Sequence, residues 1–269
     1  MIHTCKKQYK PDYNQMLIDV IEKQGTISQC FQMFHDYSIR NQFLAYHQMK
    51  TRGMDISPIN SFNGWNKLNR HVNRGEKALY LWQPIVIKSK EKNPKTDKIE
   101  DVEKVIFKCL PKWFALTQTN GAELKQADKI KLGEFDYNKV YNKYGIKVVK
   151  FESLRGNVQG YAEHDKNTIA LNPLAEHPEM TLLHEIAHVV LEHTKEDCKL
   201  AKDIKELEAE TTAYIIGSVM GIDEKQLSNS RGYIQNWFGK NKIPDTNASR
   251  IMATADKILK VGLGLKVKD

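Results

Sequence analysis

The sequence predicts an α+β protein in which an N-terminal α+β domain precedes a mainly helical domain with a small sheet. Three observations lead there. Apolar residues recur at helical spacing near both ends of the chain, short runs of β-formers lie between, and a polar, glycine-marked stretch at Gly121–Gly133 separates the halves. The expected domains are residues 1–125 and 126–269.

In the first half, Tyr13, Met16, Leu17, Val20 and Ile21 mark a helix that ends near Gly25. A second helix is expected over Ser28–Lys50, with Ile39, Phe43 and Leu44 inward. Ala78–Ile87 reads as a strand, Ser89–Lys104 as a charged hairpin loop, and Val105–Thr117 as a strand pair. In the second half, Ile146–Phe151 and Thr168–Leu171 are strand candidates. Helices are expected over Glu179–His193 and Cys198–Met220, and two more in the tail.

Composition narrows the function classes. Of 269 residues, 41% are hydrophobic and 28% charged, which suits buried cores. No run approaches the ~18 apolar residues of a membrane span. The start, MIHTCKKQYKPDYNQ, has no apolar stretch after its lysines, so no secretory signal is expected. Cys5, Cys30, Cys109 and Cys198 form no CxxC pair and read as reduced thiols of a cytoplasmic protein. Residues 1–125 hold 20 Lys and Arg against 12 Asp and Glu, while the remainder balances at 21 each, so the whole net charge of +8 sits in the first half. Such asymmetry points to a polyanion-binding module joined to a neutral one.

The clearest chemical signal is TLLHEIAHVVLEHT. Four residues apart on a helix, His184 and His188 project from one face and can share a metal, with Glu185 beside them to take a proton from an activated water. The extended form of this motif needs Gly at 191 and His at 194, where Leu191 and Thr194 stand, so it is excluded. A third ligand is sought in KELEAETTAYII. Glu206 and Glu210 share a helical face with Ala209 and Ala213, whose small side chains allow close approach to the first helix. We assign Glu206 as ligand and Glu210 as the carboxylate that holds a ligand histidine; Glu208 and Glu210 stay open as alternative ligands. Two histidines and a glutamate select Zn2+ with a position open to water. Tyr161 reads as a strand aromatic of the core, with an oxyanion role open. His193, five residues after His188 and off its face, reads with His164 and His177 as surface or packing.

For nucleic acid, Lys67, Arg70, Arg74 and Lys77 surround a turn close to Trp65, Tyr80 and Trp82, and Arg40 and Asn41 add polar groups. Cations for phosphates and rings for bases are what single-stranded DNA requires, without base preference.

Several longer stretches carry a resemblance: YSIRNQFLAYHQM, FNGWNKLNRHVNRGEKALYLWQP, WFALTQTNG, LLHEIAH, the carboxylates Glu206 and Glu210, and YIQNWF. In both halves the chain resembles the ArdC-type antirestriction family of mobile elements. The resemblance implies a single-stranded-DNA-binding domain before a zincin-like metallopeptidase domain. A weaker similarity links the zinc helix to ImmA/IrrE-type peptidases, which act on repressors. The expected partners are single-stranded DNA and a host defence or regulatory protein as substrate. The alternative is a non-proteolytic coat on single-stranded DNA with a structural zinc.

Overall fold

The computed structural model describes residues 9–92, 97–124, 130, 132–152, 157–164 and 166–265. Three helices come first: α1 (Tyr13–Glu22), α2 (Thr26–Phe34) and α3 (Ile39–Thr51). The expected single helix over Ser28–Lys50 is therefore two. The backbone N–H of Ile39 donates to Asp256 Oδ1 at 3.0 Å, a cap from a residue 217 positions away that periodicity cannot foresee.

The chain divides into two compact units. One gathers the chain up to Pro11 with Leu44–Gln126, and the other gathers Asp12–Phe43 with Ala127–Asp269. These units differ from a plain cut at residue 125 in residues 12–43, because α1 and α2 bury their apolar faces in the second unit.

The first unit contains β1 (Ile59–Ser61), α4 (Phe62–Lys67), β2 (Arg70–Val72), β3 (Leu79–Lys92), β4 (Ile99–Ala115) and β5 (Thr119–Gly121). Its antiparallel sheet has the order β1-β4-β3, and β2 pairs with β5. Trp65, Leu79, Leu81 and Ala115 are almost wholly buried. The segment Ser89–Lys104, expected as a loop, is largely strand. The β3–β4 ladder continues from Lys88 opposite Glu103 to Lys92 opposite Ile99. Opposite charges face each other across it, Lys88 Nζ lying 3.4 Å from Glu103 Oε1, and such pairs suit a ribbon solvated on both faces. A polar composition therefore did not mean a loop. Val105–Thr117, expected as a strand pair, is the end of the single strand β4 followed by a tight turn at Leu116–Gln118.

The second unit is mainly helical. With α1 and α2 it contains α5 (Tyr137–Tyr144), a sheet of β6 (Lys147–Val148), β7 (Gly160–Ala162) and β8 (Thr168–Leu171), then α6 (Pro178–Val190), α7 (Lys202–Met220), α8 (Glu224–Phe238) and α9 (Asp245–Gly262). The sheet order is β6-β8-β7, with β6 parallel and β7 antiparallel to β8. The last three turns of α7 are almost continuously buried, and α2, α6, α8 and α9 pack around this helix. A helix apolar on every side is one that other helices enclose. Cys30, Cys109 and Cys198 are free thiols, and Cys5 lies outside the described residues. Among the described residues no helix is long and apolar enough to cross a membrane.

Candidate metal centre

Helix α6 starts on Pro178, whose fixed φ suits a first helical position. It packs one flank on β7 and β8 and the other on α7. Ala187 and Leu191 meet Ala209 in a buried cluster, and the two alanines let the helices approach closely. That approach brings His184 and His188 of α6 against Glu206 of α7.

The donor geometry is closely defined. His184 Nε2 and His188 Nε2 are 3.0 Å apart. Glu206 Oε2 lies 3.3 Å from the first and 3.6 Å from the second. One donor atom from each of the three residues can be chosen so that all lie within 4.8 Å of one another. Ligand bonds of about 2.0–2.1 Å in a tetrahedron set donors about 3.3 Å apart, a value these distances bracket. Two imidazole nitrogens and a carboxylate oxygen at such spacing fit a divalent cation. Glu206 keeps 40% of its side chain exposed, against 19% and 12% for the histidines, so the cluster opens to solvent on the glutamate side.

Each member has its own support. Glu210 Oε2 is 2.7 Å from His184 Nδ1, and Ser230 of α8 hydrogen-bonds the same carboxylate. Burial alone would lower the His184 imidazole, but Glu206 and Glu210 outweigh it and raise its pKa to about 10. Burial wins at His188, whose pKa is lowered. The two histidines hold the Glu206 carboxyl far below the usual carboxylate range.

Glu185, next to His184 on α6 and within electrostatic reach of Glu206 and Glu210, is 8% exposed and accepts from the Ala162 backbone on β7. The approach is close. A Cβ built on Gly160 would fall 2.8 Å from Thr181 Cγ2, 3.0 Å from Ala170 O and 3.3 Å from Glu185 Cγ. Burial raises the Glu185 pKa to about 7, against the pull of His184. Tyr161, on the same strand, lies against Phe151 with ring centroids 5.7 Å apart. Tyr233 on α8 is 42% exposed, and burial followed by Glu206 and Glu210 raises its phenol, which stays a proton donor beside the carboxylates.

Two residues the motif does not reveal lie behind the cluster. Glu208, left open as an alternative ligand, turns away from Glu206 and Glu210 into the protein, with no exposed surface. His193 is 4% exposed and in ring contact with His188, so it is no surface residue. Glu192, at φ 59°, takes the left-handed turn that brings His193 back under α6.

The residues proposed for nucleic acid divide. Lys67, at the end of α4, and Arg74 and Lys77, between β2 and β3, are exposed. Trp65 is 1% exposed and donates its indole N–H to Phe114 O at 2.8 Å, so it is a core residue with no face for a base. Arg70 spends its guanidinium on Thr119 Oγ1, Thr119 O and Ala122 O, tying β2 to β5. Arg40, half-buried, and Asn41, 9% exposed, lie in the part of α3 that belongs to the second unit.

Residues 16–113 match the family described as the N-terminal domain of anti-restriction factor ArdC. Residues 142–216 match the IrrE N-terminal-like domain of peptidase family M78. No curated protein sequence is significantly similar. Two crystal structures of the antirestriction ArdC protein from plasmid R388 share the fold. The metal-free one aligns with a TM-score of 0.53 at 15% identity, covering 93% of this chain and 95% of that one. The Mn(II)-bound one gives 0.52 at 14%, covering 96% and 100%. One chain thus joins a match to the ArdC N-terminal domain family, over residues 16–113, to a match to the M78 peptidase-type family, over residues 142–216, on a fold shared with the R388 structures.

Proposed function

We propose that this chain is an antirestriction protein of a mobile element or phage, with a zinc metallopeptidase site and a surface for single-stranded DNA. The observation that carries the first part is the cluster of His184 Nε2, His188 Nε2 and Glu206 Oε2 with Glu185 buried beside it. His184, His188 and Glu206 would hold the ion. Zinc supplies Lewis-acid polarisation of the scissile carbonyl and makes a water acidic near neutral pH. Glu185 accepts a proton from the attacking water as oxygen bonds to the carbonyl carbon. It returns that proton to the amide nitrogen as the C–N bond breaks. Strand β7 is the outer strand of its sheet and lies against α6, where an extended peptide can pair with it. The protein substrate belongs to the host's defence or regulation.

The DNA-binding part rests on the charge excess of residues 1–125 and on the exposed Lys67, Arg74 and Lys77. With Trp65 buried, the aromatic contribution passes to Phe107, 59% exposed on the β3–β4 ribbon. The second unit, Asp12–Phe43 with Ala127–Asp269, holds 23 Lys and Arg against 25 Asp and Glu, which fits a protein substrate better than a polyanion there.

Glu185→Gln separates the two readings of the whole. It removes the proton acceptor and leaves the three metal donors in place. Loss of protection against restriction in a plasmid-transfer assay, with zinc and DNA binding intact, supports a peptidase. Full protection by the variant supports a DNA coat with a structural metal.

A further inference from the structure

Each imidazole of the metal cluster presents Nε2 to its partner ligands and must be held at Nδ1. For His184 the holder is direct, Glu210 at 2.7 Å. For His188 it is another histidine. His193 Nδ1 lies 3.0 Å from His188 Nδ1, and His193 Nε2 lies 2.7 Å from Glu208 Oε2. Glu208, fully buried, also accepts from Asn247 Nδ2 at 2.9 Å and from the Arg250 guanidinium. Arg250 comes within 3.2 Å of His193 Nε2 as well. The ring of His193 is fixed from its backbone, since its N–H donates to His188 O at 2.9 Å and its carbonyl accepts from Lys205 Nζ at 3.1 Å.

The protons along this chain have one consistent arrangement. Two ring nitrogens 3.0 Å apart share a single proton. If the His188 Nε2 lone pair faces a cation, Nδ1 carries the proton and donates it. His193 Nδ1 must then be bare, so its own proton sits on Nε2 and points to Glu208. Asn247 and Arg250 fill the remaining acceptor positions of that carboxylate and offset its buried charge. We propose that His193, clamped by Glu208, Asn247 and Arg250, is a positioning residue that sets the tautomer and ring orientation of His188. This rests on the reading of His184, His188 and Glu206 as metal ligands. The two ligand histidines are then supported by unequal routes, one straight to a carboxylate and one through a second imidazole.

The test uses the full chain, Zn2+ titrated against a chelating dye, and nitrogen-15 spectra of labelled histidines. In His193→Phe, which keeps bulk and loses the acceptor, zinc affinity should fall by about 10- to 100-fold. In His193→Asn, whose amide oxygen falls near the lost Nδ1, it should stay within about threefold of wild type. The zinc-loaded wild type should show His188 protonated at Nδ1 and a neutral His193 protonated at Nε2. Wild-type affinity in His193→Phe, or a His193 protonated at Nδ1, overturns the proposal while leaving the three-ligand site intact. A wild type that binds no zinc overturns both. Should His193→Phe fail to fold, the wild-type spectra decide alone.

Discussion

Trp65 shows how one residue can serve the fold where its chemistry suggested a ligand. It lies between two basic side chains' reach in sequence, yet its ring is buried and its N–H is spent on Phe114 O. Trp65→Ala should cost about 3–5 kcal/mol of stability, read as a lowered thermal unfolding midpoint. Lys67→Ala should change stability by no more than about 0.5 kcal/mol, since its side chain is exposed. Glu185 is the other residue whose setting decides its use. A base must be unprotonated to accept from water, and burial raises this carboxyl to about 7. A cation nearby lowers it again. Hydrolysis should therefore rise with pH along an acid limb centred at or below about 7, in a profile of kcat/KM. A limb centred well above that would assign the proton transfer to another group.

The helix pair α6–α7 carries the three candidate metal ligands, and their spacing was legible in sequence. His184 and His188 follow from a four-residue spacing, and Glu206 and Glu210 from another on a helix with alanines between. The shared face of Glu206 and Glu210 places one at the cluster and the other on His184 Nδ1. Glu210→Gln removes the charge from that contact and should weaken zinc affinity about 10- to 100-fold without abolishing stoichiometric binding. What stayed hidden is what contacts from distant segments decide. His193 reaches His188 only because Glu192 turns left-handed, and Glu208 matters only because α9 brings Asn247 and Arg250 to it. The break between α2 and α3 depends on Asp256 in the same way. The outer part of the β3–β4 ribbon, within Ser89–Lys104, reads as a loop for a different reason: its strands carry no apolar alternation to mark them.

At the scale of the molecule, the motifs that carry the family likeness also interlock the first unit. Gln118 accepts from the Ala115 N–H at 2.9 Å and donates to Glu76 Oε2 at 2.8 Å and Lys77 O at 3.0 Å, joining the two ends of that likeness. Gly121, at φ 126°, lets the backbone pass Asn69 O, which a Cβ would meet at 2.4 Å. The framework so held presents Lys67, Arg74 and Lys77 to solvent. Binding to single strands should fall steeply with salt, and Lys67, Arg74 and Lys77 replaced together by Ala should make the slope of log K against log salt shallower by roughly 2. A flat salt dependence in the wild type would remove the DNA-binding half of the account.

Both halves acquire their joint meaning from the metal centre, so metal content per chain is the most direct test. Wild type, His184→Ala, Glu206→Ala and Glu210→Ala would be purified without chelators and their zinc counted by elemental analysis. The account predicts about one zinc in the wild type, none in the first two variants and a reduced but measurable amount in the third. Wild type free of zinc, or Glu206→Ala as fully loaded as wild type, would contradict it.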